Sequence, residues 1–131
     1  MSKIKIHEAG HLTVGDVVHE KLSVIDVTST IADARAYFAA SKGRRQAFVV
    51  DGGRYVGSLV PADLEGADPE RLAADVADRD GPTIGLDAPA TAGRDLALLT
   101  DARRVPVIDE EGRLVGVVAV TGDLESFCGT G

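Results

Sequence analysis

The chain has 131 residues, of which 44% are hydrophobic, and its formal net charge at pH 7 is −7. This length fits one compact domain, or two half-domains that share a core, and no apolar run is long enough to span a membrane. The negative charge and the few aromatic residues disfavour nucleic-acid binding, since phosphate contacts need a basic face and base stacking needs aromatic rings. The single cysteine excludes an intrachain disulfide framework. Together with a start that lacks a signal peptide, it predicts a cytoplasmic location.

The first half of the chain alternates short β-prone runs with one helical pattern, and glycines mark its turns. In chain order we predict a helical entry turn (13–18), a strand (24–27), a helix from a cap at Ser29 or Thr30 through Lys42 that stops at Gly43, a hairpin (47–50 and 54–60) and a short helix beginning at 63–65.

The second half repeats this order of elements after a linker-like stretch at residues 65–69. Asp68 followed by Pro69 has the pattern of a helix N-cap with proline in the first turn. We then predict a strand (83–86), a helix (90–100), a hairpin (105–108 and 114–120) and a closing helix near Asp123.

An internal repeat underlies this order. A shift of 59 residues without gaps places Ile25 on Ile84, Arg35 on Arg94 and Gly57 on Gly116, and also overlays the arginine pair 44–45 on the pair 103–104. A repeat of this length indicates one supersecondary unit used twice, each copy too small to bury its own apolar face. The seam between the copies is therefore the expected functional feature.

Residues 105–109, residues 112–118 and the Asp-Leu that follows resemble the cystathionine-β-synthase (CBS) domain, and residues 47–51, 54–57 and 63–64 repeat the pattern. The tandem copies resemble the usual pair in this family, the Bateman module. The resemblance implies an α+β fold of two β-α-β-β-α repeats packed with pseudo-twofold symmetry. We assign a leader to residues 1–12, the first repeat to 13–66 and the second to 67–128.

The resemblance also implies a function. Members of the family are regulatory modules, usually without catalysis, that bind AMP, ADP, ATP or S-adenosylmethionine in clefts between the copies and modulate a partner. Most form homodimers. We therefore expect a stand-alone sensor of an adenosyl ligand that acts on an effector protein, with no catalytic cofactor. The alternative is a ligand-free structural or dimerisation module.

Asp63 and Asp123 match the family's ribose-contacting aspartate, and a carboxylate suits two ribose hydroxyl donors. Each also has the position of a helix cap. The Thr or Ser that usually stands three residues earlier is replaced by Val60 and Val120, which favours the structural alternative, although Thr121 is close enough to take that role.

The positions that match the family's adenine-lining residues are equally typical of core. In the first copy they are residues 24–27, which include Ile25 and Asp26, together with Ala47 and Phe48. In the second copy they are residues 83–86, which include Ile84, and residues 105–107, which include Val105 and Pro106. Two arginine pairs precede the second strand of each copy, where they would contact phosphate as planar donors or complement a helix end. These pairs are Arg44 with Arg45 and Arg103 with Arg104.

Residues 7–11 spell the zinc-protease motif HExxH, in which two histidines share a metal and Glu8 activates its water. The surrounding sequence disfavours a helix because Gly10 interrupts it, and Val17 stands where the extended motif requires a third histidine. A zinc-dependent hydrolase is therefore the remote alternative, and the segment is predicted to be a polar leader without a bound metal.

Overall fold

The computed structural model describes residues 10–19, 22–41, 44–100, 102–120 and 127. They form an α+β fold with two compact units. Ser23–Gly81 forms the central unit, whereas Met1–Leu22 and Pro82–Gly131 together form the flanking unit. In chain order the elements are α1 (Val14–Val17), β1 (Val24–Asp26), α2 (Ile31–Ala39), β2 (Ala47–Asp51), β3 (Arg54–Leu59), a first 3₁₀ turn (Pro61–Leu64), a second 3₁₀ turn (Ala73–Val76), α3 (Ala90–Leu98), β4 (Arg104–Ile108) and β5 (Leu114–Ala119).

The central unit is a three-stranded sheet in the order β1-β2-β3, in which β1 runs parallel to β2 and β3 antiparallel to it. Gly52 and Gly53 form the tight turn between β2 and β3, and both adopt a positive φ, 59° and 90°, that two-residue hairpin turns require. The hairpin predicted from the sequence is therefore confirmed. The core of this unit comprises Ile25, Ile31, Ala34, Ala47, Val49, Leu59, Leu64, Ala73 and Ala74.

Helix α2 begins with a capping box. The Thr30 hydroxyl accepts a hydrogen bond from the Asp33 amide at 3.1 Å, and the Asp33 carboxylate accepts one from the Thr30 amide at 3.0 Å. These bonds satisfy two donors that a helix start leaves free. The helix ends at Ala39, earlier than predicted, and the expected stop at Gly43 lies outside the described residues.

The flanking unit pairs β4 with β5 in antiparallel fashion, and Ile84 forms a parallel bridge with Val107 at the place that β1 takes in the central unit. Its helices are α1 and α3. The core of the unit comprises Val14, Val17, Ile84, Ala90, Ala97, Val105, Val107, Val118, Val120 and Phe127.

We call the residues that precede the first strand of each repeat its entry segment, which is residues 13–19 in the first repeat and 73–78 in the second. Each entry segment belongs to the unit whose sheet comes from the other repeat. In the flanking unit His19 exchanges two backbone hydrogen bonds with Val117, at 2.8 and 2.9 Å. In the central unit Asp78 exchanges two with Ser58, at 2.8 and 2.9 Å. The two pairs are equivalent under the 59-residue shift. The sequence boundary at residue 66 therefore differs from the boundaries of the compact units, and the division into repeats stays a prediction.

The strand register corrects the gapless overlay of the two copies. Val49 pairs with Gly57 and Val107 with Gly116, so β2 corresponds to β4 with a shift of 58, whereas β3 corresponds to β5 with a shift of 59. The second copy has one residue fewer before β4 and one more in the hairpin turn. The structural counterpart of Arg103 is consequently Arg45, and the overlay of the two arginine pairs is wrong by one position.

The expected helix start at Asp68 is also wrong. The Asp68 carboxylate accepts a hydrogen bond from the Glu70 amide at 2.9 Å, which closes a turn two residues long. Leu72 then bridges to Thr30, and the first helical geometry in this stretch is the second 3₁₀ turn. A side chain that competes for the backbone in this way favours a turn over a helix.

Candidate functional site

Asp63 lies in the first 3₁₀ turn of the central unit and is half-buried. One of its carboxylate oxygens, Oδ2, accepts a hydrogen bond from the Val60 amide at 2.9 Å. Asp63 therefore caps the turn from its third position, and the turn begins at Pro61 and not at Asp63 as predicted. A carboxylate has about four lone-pair sites, and this bond uses one. Capping the turn and accepting a ribose hydroxyl are therefore compatible. Val60 contributes no hydroxyl at the start of the turn.

The adenine-lining positions of the central unit are mostly core. Ala47 is fully buried, Phe48 is 3% exposed and Ile25 is 6% exposed. Little of their surface, backbone included, is exposed, and the Phe48 amide donates to the Ser23 carbonyl at 2.8 Å. Their burial is that of core residues.

Asp26 is the exposed member of this group, and Thr28 holds its carboxylate. The Asp26 Oδ1 atom accepts hydrogen bonds from the Thr28 amide at 3.0 Å and the Thr28 hydroxyl at 2.9 Å. These two bonds stabilise the charged form and lower the pKa of Asp26 below its ordinary value, the amide contributing most. Thr13 lowers the pKa of Asp16 by the same pair of contacts in the flanking unit.

Arg44 is engaged at the end of α2. Its guanidinium carbon lies 4.1 Å from the centre of the Tyr37 ring, and its Nη1 atom donates to the Tyr37 carbonyl at 2.8 Å. This is the helix-end role that the sequence left open. Arg45 is exposed.

Arg103 and Arg104 lie where β4 begins. Arg103 adopts a left-handed conformation, with φ 57°, and its carbonyl accepts a bond from the Val120 amide at 3.0 Å. Arg104 is the first residue of β4 and pairs with Ala119. Val105 and Pro106, which follow in the strand, are buried.

A pocket with a volume of about 740 Å³ opens in the flanking unit, between residues 83–88 and the hairpin tip at 108–111. Ile84 lines it, together with the neighbouring positions 83, 85 and 86 that the sequence placed beside the adenine. The backbone of this wall is anchored to α1, because the Leu86 and Ala88 carbonyls accept from the Gly15 and Val14 amides at 2.9 and 2.8 Å. The pocket is open, and its wall is fixed.

The charge of this pocket is negative. Four carboxylates line it, and none of its described lining residues is basic. Asp109 is committed to the turn, since its Oδ1 atom accepts from the Glu111 and Arg113 amides, each at 2.9 Å. Glu110 and Asp87 are exposed. From the sequence alone this acidic stretch indicates only a hairpin tip, because no local pattern connects it with the adenine-lining positions.

Gln46 is a polar residue that the sequence analysis missed. It directly precedes β2, is 9% exposed, and its Oε1 atom is buried without a hydrogen-bond partner in the structure. A buried amide oxygen of this kind is uncommon and costs free energy. Its position beside Ala47 is the only signal that the sequence offered.

Three of the residues singled out from the sequence lie outside the described residues: Asp123, Thr121 and Cys128. So do His7 and Glu8 of the HExxH stretch, of which Gly10 and the exposed His11 form a turn. Within the described ranges no group of three or more metal-ligating side chains occurs. No helix in the same ranges is long and apolar enough to cross a bilayer.

Comparison with known proteins places this geometry. The family model for the CBS domain matches residues 73–121. No curated protein matches the sequence. Among solved structures, the CBS pair domain of a protein assigned as a Mg²⁺ transporter from Shewanella oneidensis MR-1 has a TM-score of 0.73 and 20% identity, over 82% of this chain and 64% of that one.

Two further structures are similar. CBSX2 from Arabidopsis thaliana, a CBS-pair protein, has a TM-score of 0.71 and 22% identity over 82% of this chain and 87% of its own, and it has also been solved in complex with AMP. The cytosolic domain of the Mg²⁺ channel MgtE, solved in complex with ATP, has a TM-score of 0.69 and 26% identity over 86% of this chain and 49% of its own.

The repeated sheet-and-helix units with exchanged entry segments define a tandem α+β module. Residues 73–121 match the family model for the CBS domain, and the fold is that of solved CBS domain pairs. The resemblance stated from the sequence is confirmed, and so is the α+β fold class. The chain spans less than two thirds of the Shewanella chain and about half of the MgtE domain.

Proposed function

We propose that this chain is a regulatory module that binds an adenosyl ligand and passes a change of conformation to a partner protein. The observation that carries the proposal is the pocket of about 740 Å³ along residues 83–86, the positions that the family resemblance assigns to the adenine. The AMP complex of CBSX2 and the ATP complex of the MgtE domain, both with this fold, support the class of ligand.

The charge of the pocket narrows the choice of ligand. The carboxylates of Asp87, Asp109 and Glu110 would repel the phosphates of ATP at close range and attract a cation. S-Adenosylmethionine carries a sulfonium and an ammonium group beside the same adenosyl moiety. We therefore place it ahead of AMP and ATP for this pocket.

Calorimetric titration with S-adenosylmethionine, AMP and ATP tests this order. The variant Glu110→Gln should weaken binding of S-adenosylmethionine and strengthen binding of ATP, while Glu70→Gln, at an exposed glutamate of the central unit, should change neither. Tighter binding of ATP than of S-adenosylmethionine by the unmodified protein would contradict the order.

Asp63 is the proposed acceptor for the ribose hydroxyls at the central unit. The variant Asp63→Asn keeps an oxygen that can cap the turn but loses the charge, so we expect the affinity for an adenosyl ligand to fall about tenfold, or 1.4 kcal/mol. Asp51→Asn is the control, because Asp51 is an exposed aspartate at the end of β2 in the same unit. A thermal shift that is equal in the two variants and the unmodified protein would overturn the assignment.

The ligand would act by shifting a population. A ligand present at 100 times its dissociation constant stabilises the conformation it binds by about 2.7 kcal/mol, which is enough to change which of two conformations predominates. The effector and a homodimeric state remain predictions from the resemblance, and a cytoplasmic location remains a prediction from the sequence. Light scattering in solution, with and without S-adenosylmethionine, AMP or ATP, tests whether the protein is a dimer.

The second candidate function is a structural module for dimerisation or docking that binds no nucleotide. Val60 favours it, because this residue offers no hydroxyl at the start of the turn that carries Asp63. The outcome expected of this candidate is a dimer by light scattering with no thermal shift for any of the three probes.

A further inference from the structure

Arg35, on the exposed side of α2, contacts the turn that carries Asp63. Its Nη2 atom donates two hydrogen bonds, to the Leu64 carbonyl at 2.8 Å and to the Ala67 carbonyl at 2.9 Å. Both acceptors follow Asp63 closely in the chain. One cationic side chain thus spans the end of the first 3₁₀ turn and the bend after it.

The start of the turn has a bond of 2.9 Å from the Val60 amide to the Asp63 carboxylate, whereas the bend after Asp63 has weak hydrogen bonds of its own. The bonds from the Glu65 amide to the Ala62 carbonyl and from the Ala67 amide to the Leu64 carbonyl are both 3.3 Å long, and Gly66 between them has a φ of 72°. Hydrogen bonds from a charged donor are shorter and stronger than those between neutral groups. The contacts from Arg35 are therefore the strongest polar restraints on this bend among the described residues.

The turn packs into the core through Leu64 and leaves a depression against α2. Leu64 is buried in the core of the central unit, whereas a depression of about 210 Å³ separates α2 from the turn, with Phe38, Pro61 and Glu65 in its lining. Arg35 lines the same depression. Leu64 therefore anchors the turn in the core, and the hydrogen bonds of Arg35 join the end of the turn to α2.

The second repeat provides a contrast. Arg94 corresponds to Arg35 under the 59-residue shift, yet its guanidinium pairs with its exposed neighbour Asp95 at 2.8 Å. An ion pair of this kind contributes little to stability. The two arginines are identical in the sequence repeat, and the segment of the second repeat that would correspond to the Asp63 turn, residues 121–126, lies outside the described residues.

From the two hydrogen bonds that join Arg35 to this turn, we infer that Arg35 is a positioning residue for the adenosyl ligand, which it serves by holding the Asp63 carboxylate in the orientation that accepts the ribose hydroxyls. The inference rests on the proposed function. Arg35 contacts backbone carbonyls and acts on the ligand through the turn. Its loss should therefore matter for ligands that have ribose hydroxyls and leave ligands without them unaffected.

The test compares Arg35→Gln with Arg94→Gln in the full chain. Nuclear magnetic resonance first measures exchange of the Val60 amide, whose partner is Asp63, against the Phe48 amide of the core sheet. In Arg35→Gln we expect exchange of the Val60 amide to become about tenfold faster, which corresponds to the net effect of about one charge-assisted bond, while the Phe48 amide keeps its rate. Arg94→Gln should change neither.

Calorimetry then measures the affinity for adenosine and for 2′,3′-dideoxyadenosine. Arg35→Gln should weaken adenosine binding about fivefold to tenfold and leave dideoxyadenosine binding unchanged. In an Asp63→Asn background the same substitution should have no further effect, because it acts through that carboxylate. Equal losses for both nucleosides, or additive losses in the double variant, would overturn the inference.

The exchange measurement separates this inference from the proposed function. If the unmodified protein binds neither nucleoside but Val60 exchange accelerates in Arg35→Gln, the proposed function fails and the hold of Arg35 on the Asp63 turn stands. If Val60 exchange keeps its rate, the inference fails whether or not a nucleoside binds.

Discussion

A Cβ atom on Gly57 would stand 2.7 Å from the carbonyl oxygen of Asp78. That distance is closer than side-chain carbons approach backbone oxygens, and the contact lies where Asp78 exchanges two hydrogen bonds with Ser58. Gly116 has the same place in the flanking unit, where a Cβ would lie 3.1 Å from the His19 carbonyl. In each unit the glycine that the repeat superimposes therefore lies where the entry segment pairs with the sheet.

The variant Gly57→Ala should destabilise the protein by about 1–3 kcal/mol, because the methyl group must displace backbone rather than a side chain. Gly85→Ala is the matched control, since a Cβ there meets no atom within 4 Å and Gly85 lies outside a helix. Urea unfolding followed by circular dichroism measures both. An equal midpoint for the two variants would show that Asp78 moves away without cost.

The sequence predicted local elements better than long-range pairing. The Gly52-Gly53 hairpin and the Thr30 cap were foreseen because turn and cap chemistry involve residues a few positions apart. The sequence does not predict the exchange of entry segments. Asp78 and Ser58 are distant in the chain, and no local pattern around either residue selects the other as its partner.

The register error has a definite cause. One residue is missing before β4 and one is added in the turn after it. A gapless comparison therefore still places Gly57 on Gly116 and conceals the one-residue offset of β4. In the candidate site, the position of Asp63 in the motif predicted a cap, although the turn that it caps begins earlier, at Pro61. Arg35 carried no comparable signal, because Arg94 is identical in the repeat and differs only in its contacts.

The pKa of Asp26 should respond to the hydroxyl of Thr28. The variant Thr28→Val removes the hydroxyl but keeps the amide, so the carboxyl pKa should rise toward its ordinary value and remain below it. Carbon-detected titration of the Asp26 side chain measures this change. Asp16, which Thr13 holds by the same contacts, is the internal control and should keep its midpoint.

This shift has a defined sign in the pH dependence of stability. A carboxyl whose pKa is lower in the folded state stabilises that state above the unfolded pKa, and this contribution is lost as pH falls through the folded pKa. The unmodified protein should therefore exceed Thr28→Val in stability near neutral pH, and the difference should shrink in acid. A difference that grows as pH falls would contradict the role assigned to the hydroxyl.

Arg44 should contribute to stability and not to ligand affinity. The variant Arg44→Met keeps an apolar stem but loses the contact with the Tyr37 ring and the bond to its carbonyl, so we expect a loss of about 1 kcal/mol in the free energy of unfolding. Arg45→Met, at the exposed neighbouring position, should cost less. A weaker affinity for ATP in Arg44→Met, with unchanged stability, would assign this arginine to phosphate instead.

The buried amide of Gln46 gives a further prediction about stability. Its Oε1 atom is buried without a partner, and an unsatisfied polar group of this kind costs about 1–3 kcal/mol. Gln46→Met has a similar volume and no polar atom, so it should raise the free energy of unfolding by about 1 kcal/mol, whereas Gln46→Glu should lower it by placing a charge in the same site. Chemical denaturation of the three proteins measures the order. A loss of stability in Gln46→Met would show that the amide has a partner in solution and would remove the physical reason for expecting the gain.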